Sequence, residues 1–231
     1  MMTNVQPWFV VGLVGLVAQV FLGLLLAGIS YWIGQTLATI EANEFVPDSA
    51  LDLVETLEAS SGPIWVGLGV FALTATVGLM GFLFQVAKAT AGAAEQMAED
   101  LPKGKFRFSP GWGIGGWFIP IVAIFVIPLF IADQLDGLRV KRRGLLKFLV
   151  WFYLPITLVA SNGLVSTARL YEDAESLGDF IFVFYTDSIM AFGYVLTAAL
   201  MMAVILTLKS GLHSWWEERP INPALNREET G

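Results

Sequence analysis

Long apolar runs separated by short polar stretches make up the hydrophobic pattern of this chain. Four runs carry at most one charged residue each and exceed the ~20 residues that a helix needs to cross a hydrocarbon core. They predict four transmembrane helices, at about 8–37, 63–88, 145–167 and 180–208. The first run is too long for the apolar part of a cleavable signal peptide, so we expect it to be retained as a helix.

A fifth apolar run, 113–132, is interrupted by Pro120 and Pro128, which would each remove a backbone donor and kink a helix. The distribution of basic residues helps to decide whether this run crosses the membrane, because short loops rich in Lys and Arg stay cytoplasmic. Every basic residue except Arg169 falls on one side if a segment at about 109–133 enters and leaves by the same face. The pattern thus favours a re-entrant or interfacial segment between helices 2 and 3. Five transmembrane helices are the alternative.

The fold class predicted from this pattern is an all-α membrane protein. Residues 1–208 form a single membrane helical domain, and 209–231 form a cytoplasmic tail, so that both termini are cytoplasmic. In the acidic loop before the second span, Ser49 and Asp52 predict a short capped helix. Pro63 then stands where proline commonly opens a helix. The predicted location is the inner (cytoplasmic) membrane.

Composition supports the membrane class and narrows the chemistry. Apolar residues make up 56% and charged residues 14% of the chain, against about 45–50% and about 25% in soluble proteins. A net charge of -7 argues against nucleic acid as a partner. With no Cys and one His, we expect no metal site and no cofactor. Because no catalytic motif is present, we expect no catalytic residues and no enzyme activity.

The most distinctive motif lies between the second and third spans. It reads Phe-Ser-Pro-Gly-Trp at 108–112 and Gly-Gly-Trp-Phe-Ile-Pro at 115–120. The residues singled out as a structural or interaction motif are Ser109, Pro110, Gly111, Trp112, Trp117 and Pro120. Their order and spacing resemble those of the bacterial membrane family named domain of unknown function 4328. The resemblance extends loosely over about 63–208; it implies a helical membrane fold and supplies no established activity.

The chain departs from the pattern of that family after Pro120. Ala123 stands where the family tends to have Asn, and the second Pro, Pro128, comes eight residues on and is followed by Leu129 instead of Tyr. A site lined by those polar residues in the family would be altered here. Because irregular backbone at membrane depth must be buried in protein or line a watery cavity, we expect the re-entrant segment to pack against the helices. Ser109 to Pro120 should be the most mutation-sensitive part of the chain.

Within the motif, we expect Trp112 and Trp117 to serve as interfacial anchors, with a ligand or ion pathway as the alternative. Gly111 is expected to be required for a close turn, so that Gly111→Val should be destabilising. Leu24→Ala and Leu73→Ala, in the first two spans, should cost less.

Two polar residues in the predicted spans are candidates for a membrane polar site. An intramembrane carboxylate such as Asp187 is a functional candidate by default, although a position at the outer interface near Arg169 is favoured. Asn162 could hydrogen-bond between helices. A basic cluster that could contact lipid headgroups follows the re-entrant segment: Arg139, Lys141, Arg142 and Arg143.

These observations favour a non-enzymatic scaffold or assembly subunit. Its expected partners are the lipid bilayer and either a second copy of the chain or another membrane protein. A small channel or transporter that uses the re-entrant segment is the alternative, and it would require Asp187 and Asn162 to face one cavity.

Overall fold

The computed structural model describes residues 5–43, 48–96, 108–118, 120–138, 144–152, 156 and 176–217. Regular secondary structure in these ranges is entirely helical. The helices are α1 (Val5–Asn43), α2 (Asp48–Gln96), α3 (Trp112–Gly115), α4 (Pro120–Gly137), α5 (144–152) and α6 (Leu177–Glu217). A 3-10 turn, Gly116–Phe118, connects α3 to α4.

Three of these helices contain segments that are long and apolar enough to cross a membrane: Val5–Ala42 in α1, Gly62–Ala91 in α2 and Leu177–Ser214 in α6. The prediction of four spans is therefore corrected to three candidate spans in the part of the chain that the structure describes. The remaining span, predicted at 145–167, lies mostly outside the described residues. Within that range, the described helical residues are 145–152, which belong to α5, and 156.

The second span has no break at its start, contrary to the prediction of a separate short helix. α2 is continuous from Asp48 to Gln96 and contains Pro63 in its interior. Pro63 cannot donate to the carbonyl of Ala59, one turn earlier. Both residues are exposed, so that carbonyl can find another partner. The long helix therefore tolerates Pro63 as an internal residue.

Small residues bring α1 and α2 into backbone contact. A Cβ atom added at Gly15 would lie only 2.6 Å from the backbone nitrogen of Ala75, and Gly12 faces Gly78 in the same way one turn earlier on α1. Gly81 lies against the ring of Trp8. Because residue numbers rise on α1 as they fall on α2, the two helices are antiparallel. This close approach is the packing expected of membrane helices.

The other side of α1 packs against α6. A Cβ atom at Gly23 would lie 2.7 Å from the Val195 side chain. The Ser188 hydroxyl donates a hydrogen bond of 3.0 Å to the Ala27 carbonyl, and the Gln35 side-chain amide donates one of 2.9 Å to the Tyr185 hydroxyl. α1 is therefore the central helix of a three-helix core, with α2 and α6 on either side.

The outer surface of the three spans carries many large apolar side chains, while several polar side chains are buried between the helices. Large apolar side chains are exposed along all three helices, for example Phe21, Leu73 and Ile189, whereas polar side chains such as Gln19, Ser30 and Thr197 are buried. A water-facing surface would reverse this distribution, but a lipid-facing surface accommodates it because lipid tails are as apolar as Leu. The chain is a multi-pass membrane protein.

Candidate functional site

A turn followed by one helical turn forms the first half of the motif. The backbone amide of Trp112 donates to the Ser109 carbonyl and that of Gly113 donates to the Pro110 carbonyl, each at 3.0 Å. Gly111 has φ -57° and ψ -26°, a right-handed conformation that any residue adopts. Its added Cβ atom would meet only the Ser109 side chain, at 3.9 Å. The expectation that this turn requires Gly111 is therefore corrected.

The close approach in this segment occurs two residues later, at Gly113. An added Cβ atom there would lie 3.0 Å from the backbone nitrogen of Phe84 on α2 and 3.2 Å from the ring of Phe130 on α4. Gly116 is similarly close to Ile127, at 3.1 Å. Glycine at these positions lets the chain enter the space between α2 and α4, so the short helix α3 is fixed by tertiary packing.

The aromatic side chains of the motif differ in their surroundings. Trp112 and Phe118 are exposed, and the Trp112 ring lies edge-on to Phe108 with 6.0 Å between centroids. Trp117 instead packs against the main hydrophobic core. Its indole Nε1 is buried and has no hydrogen-bond acceptor among the described residues. Leaving such a donor unpaired costs about 1–3 kcal/mol.

Pro120 is the first residue of α4, where a missing backbone N–H costs little because the first amides of a helix have no intrahelical partner. Pro128 lies inside α4 and is buried. The helix continues past it to Gly137. The apolar run 113–132 is therefore not one helix, because a new helix begins at Pro120, whereas the interruption expected at Pro128 is not observed.

Polar residues that the motif analysis did not single out are buried at the carboxyl end of α4. Asp133 and Gln134 are almost fully buried. The Thr90 hydroxyl of α2 lies 3.1 Å from the side-chain oxygen of Gln134, which links the two helices by a hydrogen bond. Asp136, in the next turn, pairs with Lys147 of α5. The sequence signal was the switch from an apolar run to Asp and Gln directly after Ala132.

Asp187 lies on α6 with its side chain only 4% exposed. It directly precedes Ser188, whose hydroxyl binds the α1 backbone, so this part of α6 is held against α1. Burial of a carboxylate costs free energy unless the group is paired or hydrogen-bonded, and Asp187 is not without an interaction partner. The candidate polar site at Asp187 thus belongs to the interface between helices.

The other predicted site residues lie outside the described residues. They are Asn162 and the basic cluster of Arg139, Lys141, Arg142 and Arg143. Among the described residues, no group of three or more His, Cys, Asp and Glu side chains could hold a metal ion. The structure therefore brings together the motif and the end of α4 on one face of α2, and Asp187 lies apart from them against α1.

Comparison with known proteins identifies one family. The family model described as Domain of unknown function (DUF4328) matches residues 43–210, which is more than half of the chain. The match includes all of α2, the motif, α4 and most of α6. No curated protein and no solved structure matches the chain.

Proposed function

The chain belongs to the DUF4328 family, and on that premise we propose that it is a non-enzymatic scaffold or assembly subunit in a membrane complex. The partner is a second copy of the chain or another membrane protein. The proposed location is the inner membrane of a bacterium, with both termini in the cytoplasm, because this orientation keeps nearly all basic residues on the cytoplasmic side.

The uncovered face of α2 is the observation that carries this proposal. α2 packs against α1 through Ala75 and Gly78, and its other side carries a stripe of exposed apolar side chains: Val66, Val70, Leu73 and Val77. Gly69 lies beside this stripe, and an added Cβ atom there would meet nothing within 4 Å. A second transmembrane helix could therefore approach the α2 backbone at Gly69 as closely as α1 does at Gly78.

Association between copies in liposomes tests this proposal. Because the chain has no Cys, a single Cys at Ser176 can carry a donor or an acceptor dye. Energy transfer between labelled copies should exceed that of random mixing, and Gly69→Leu should reduce it. Gly28→Leu is the matched control, since Gly28 of α1 is also exposed with nothing within 4 Å. Equal loss in both variants, or no transfer above random mixing, would contradict self-association through α2.

A re-entrant path for 109–133 is part of the proposal. Gly113 contacts Phe84, and Gln134 contacts Thr90, only six residues further along α2, or about 9 Å of helix rise. α4 is about 27 Å long by its 18 residues, so it could reach well into the hydrocarbon core. Contacts of both α3 and the end of α4 with the same end of α2 support entry and exit by one face.

Ion transport is the second candidate, and the burial of Asp187 favours it. A carboxylate inside a transmembrane helix is costly and commonly belongs to an ion or proton pathway. Proton or cation flux into liposomes containing the purified protein would test this. Flux that Asp187→Asn abolishes while the helical content is unchanged would replace the scaffold by a transporter. Absence of flux in the wild type would exclude this candidate under the ion gradients applied.

A further inference from the structure

A cleft opens between the beginning of α1 and the end of α6, apart from the motif and from the outer face of α2. The volume of this open cleft is about 470 Å³. Its apolar walls include Phe9 of α1 and Leu206 and Leu212 of α6. Its polar lining comes from Gln6, Ser210, Lys209 and His213. An amphipathic molecule would match this lining better than a purely polar or a purely apolar one.

The cation among the described residues that line this cleft is Lys209. The Lys209 ammonium lies 3.9 Å from the centroid of the Phe9 ring, and among the described residues it pairs with no carboxylate. His213, one turn further along α6, has its Nε2 atom 2.9 Å from a Glu217 carboxylate oxygen. Glu217 thus orients the His213 imidazole and is not among the described residues that line the cleft, where Lys209 supplies the cation.

The position of the cleft in the fold identifies the source of the ligand. Both helices that line it are candidate membrane spans, and Lys209 lies near the end of the segment Leu177–Ser214. An ammonium group at the end of a span lies at the level of the lipid headgroups. Leu206 lies about one turn from Lys209 toward the middle of the span, which is the direction of the lipid tails, whereas Leu212 lies toward the end of the span.

We infer that this cleft binds one anionic phospholipid. The phosphate lies beside the Lys209 ammonium, within reach of the Gln6 and Ser210 side chains, and the start of an acyl chain runs along Phe9 and Leu206. Attraction of an anionic headgroup by one basic residue at a membrane surface corresponds to about fivefold in affinity. A zwitterionic headgroup gains less, because its own ammonium group offsets the phosphate.

Native mass spectrometry of the detergent-solubilised full chain tests this inference. Dioleoyl phosphatidylglycerol or dioleoyl phosphatidylcholine is added at equal concentration, and the singly lipid-bound fraction is measured. We expect phosphatidylglycerol to be retained about fivefold more strongly, and Lys209→Gln to abolish the difference. Lys88→Gln is the matched control, because Lys88 is an exposed lysine of α2 at the same end of the bundle. It should leave the preference unchanged.

A second variant distinguishes the effect of the space in the cleft from the effect of the Lys209 charge. Ser210→Phe keeps Lys209 but fills the space beside it, and it should also lower retention of phosphatidylglycerol. Circular dichroism shows whether each variant is folded. Equal retention of the two lipids by the wild type, or equal loss in the Lys88 and Lys209 variants, would overturn the proposal. Displacement of phosphatidylglycerol by millimolar inorganic phosphate would also overturn it, because the site would then be one for a soluble anion.

Discussion

The backbones of Gly12 and Gly78 are in contact where α1 crosses α2, so that a Cβ atom added at Gly78 would overlap the backbone of Gly12. Since backbone cannot move aside as a flexible side chain can, this contact fixes the distance between the two helices. Gly78→Ala should therefore lower stability by about 1–3 kcal/mol through overpacking. Thermal unfolding in detergent, followed by circular dichroism, measures the effect.

Gly28→Ala should instead raise the stability of the same fold. Gly28 is a helical residue of α1 whose added Cβ atom meets nothing within 4 Å. Replacing glycine by alanine in the interior of a helix is favourable by about 0.5–1 kcal/mol when space permits. If Gly78→Ala is as stable as Gly28→Ala, α1 and α2 do not cross at these glycines.

Trp117 should tolerate Phe better than Ala. The ring packs against the main core, so Trp117→Ala should cost about 3 kcal/mol or more. Trp117→Phe keeps most of the apolar contact and removes the buried N–H that lacks an acceptor, so its stability should equal or exceed that of the wild type. The same thermal unfolding experiment compares the three proteins. A Phe variant as unstable as the Ala variant would show that the indole N–H has a partner in the membrane-embedded protein.

The motif should be sensitive at Gly113 and tolerant at Gly111. Gly113→Ala places a methyl group 3.0 Å from the Phe84 backbone, and some loss of stability, about 1 kcal/mol or more, should follow. Gly111→Ala adds a methyl group to an exposed right-handed turn and should change stability by less than about 0.5 kcal/mol. Leu24→Ala and Leu73→Ala should also be mild, because both side chains are exposed. Equal effects at Gly111 and Gly113 would contradict the packing of α3 between α2 and α4.

The sequence was informative about spans and less so about contacts between them. Apolar runs predicted the cores of α1, α2 and α6, because length and composition alone decide whether a helix can cross a membrane. The apparent break at Pro63 was misleading, since an exposed proline is tolerated inside a long helix. The hydrogen bond between Thr90 and Gln134 and the close approach of Gly113 to the Phe84 backbone depend on which faces of the helices are in contact. The choice of contacting faces is set by tertiary packing, which no local sequence pattern encodes.

Sidedness provides the last prediction. Lys209 of α6 contacts Phe9 at the start of α1, and Gln134 of α4 contacts Thr90 near the end of α2, while the antiparallel packing of α1 and α2 brings those two ends together. Ser210 and Gly137 should therefore lie on one side of the membrane and Ser176, at the start of α6, on the other.

Single Cys at these three positions can be labelled without background, since the chain has no native Cys. An impermeant maleimide added to intact cells or to oriented vesicles should reach Ser176→Cys from outside, and reach Gly137→Cys and Ser210→Cys only after permeabilisation. Ser60→Cys, in the early part of α2, is the control and should behave like Ser176→Cys, because that end of α2 lies away from Thr90. Labelling of Gly137→Cys from outside with Ser210→Cys protected would mean that 109–133 crosses the membrane, and the re-entrant proposal would give way to a further span.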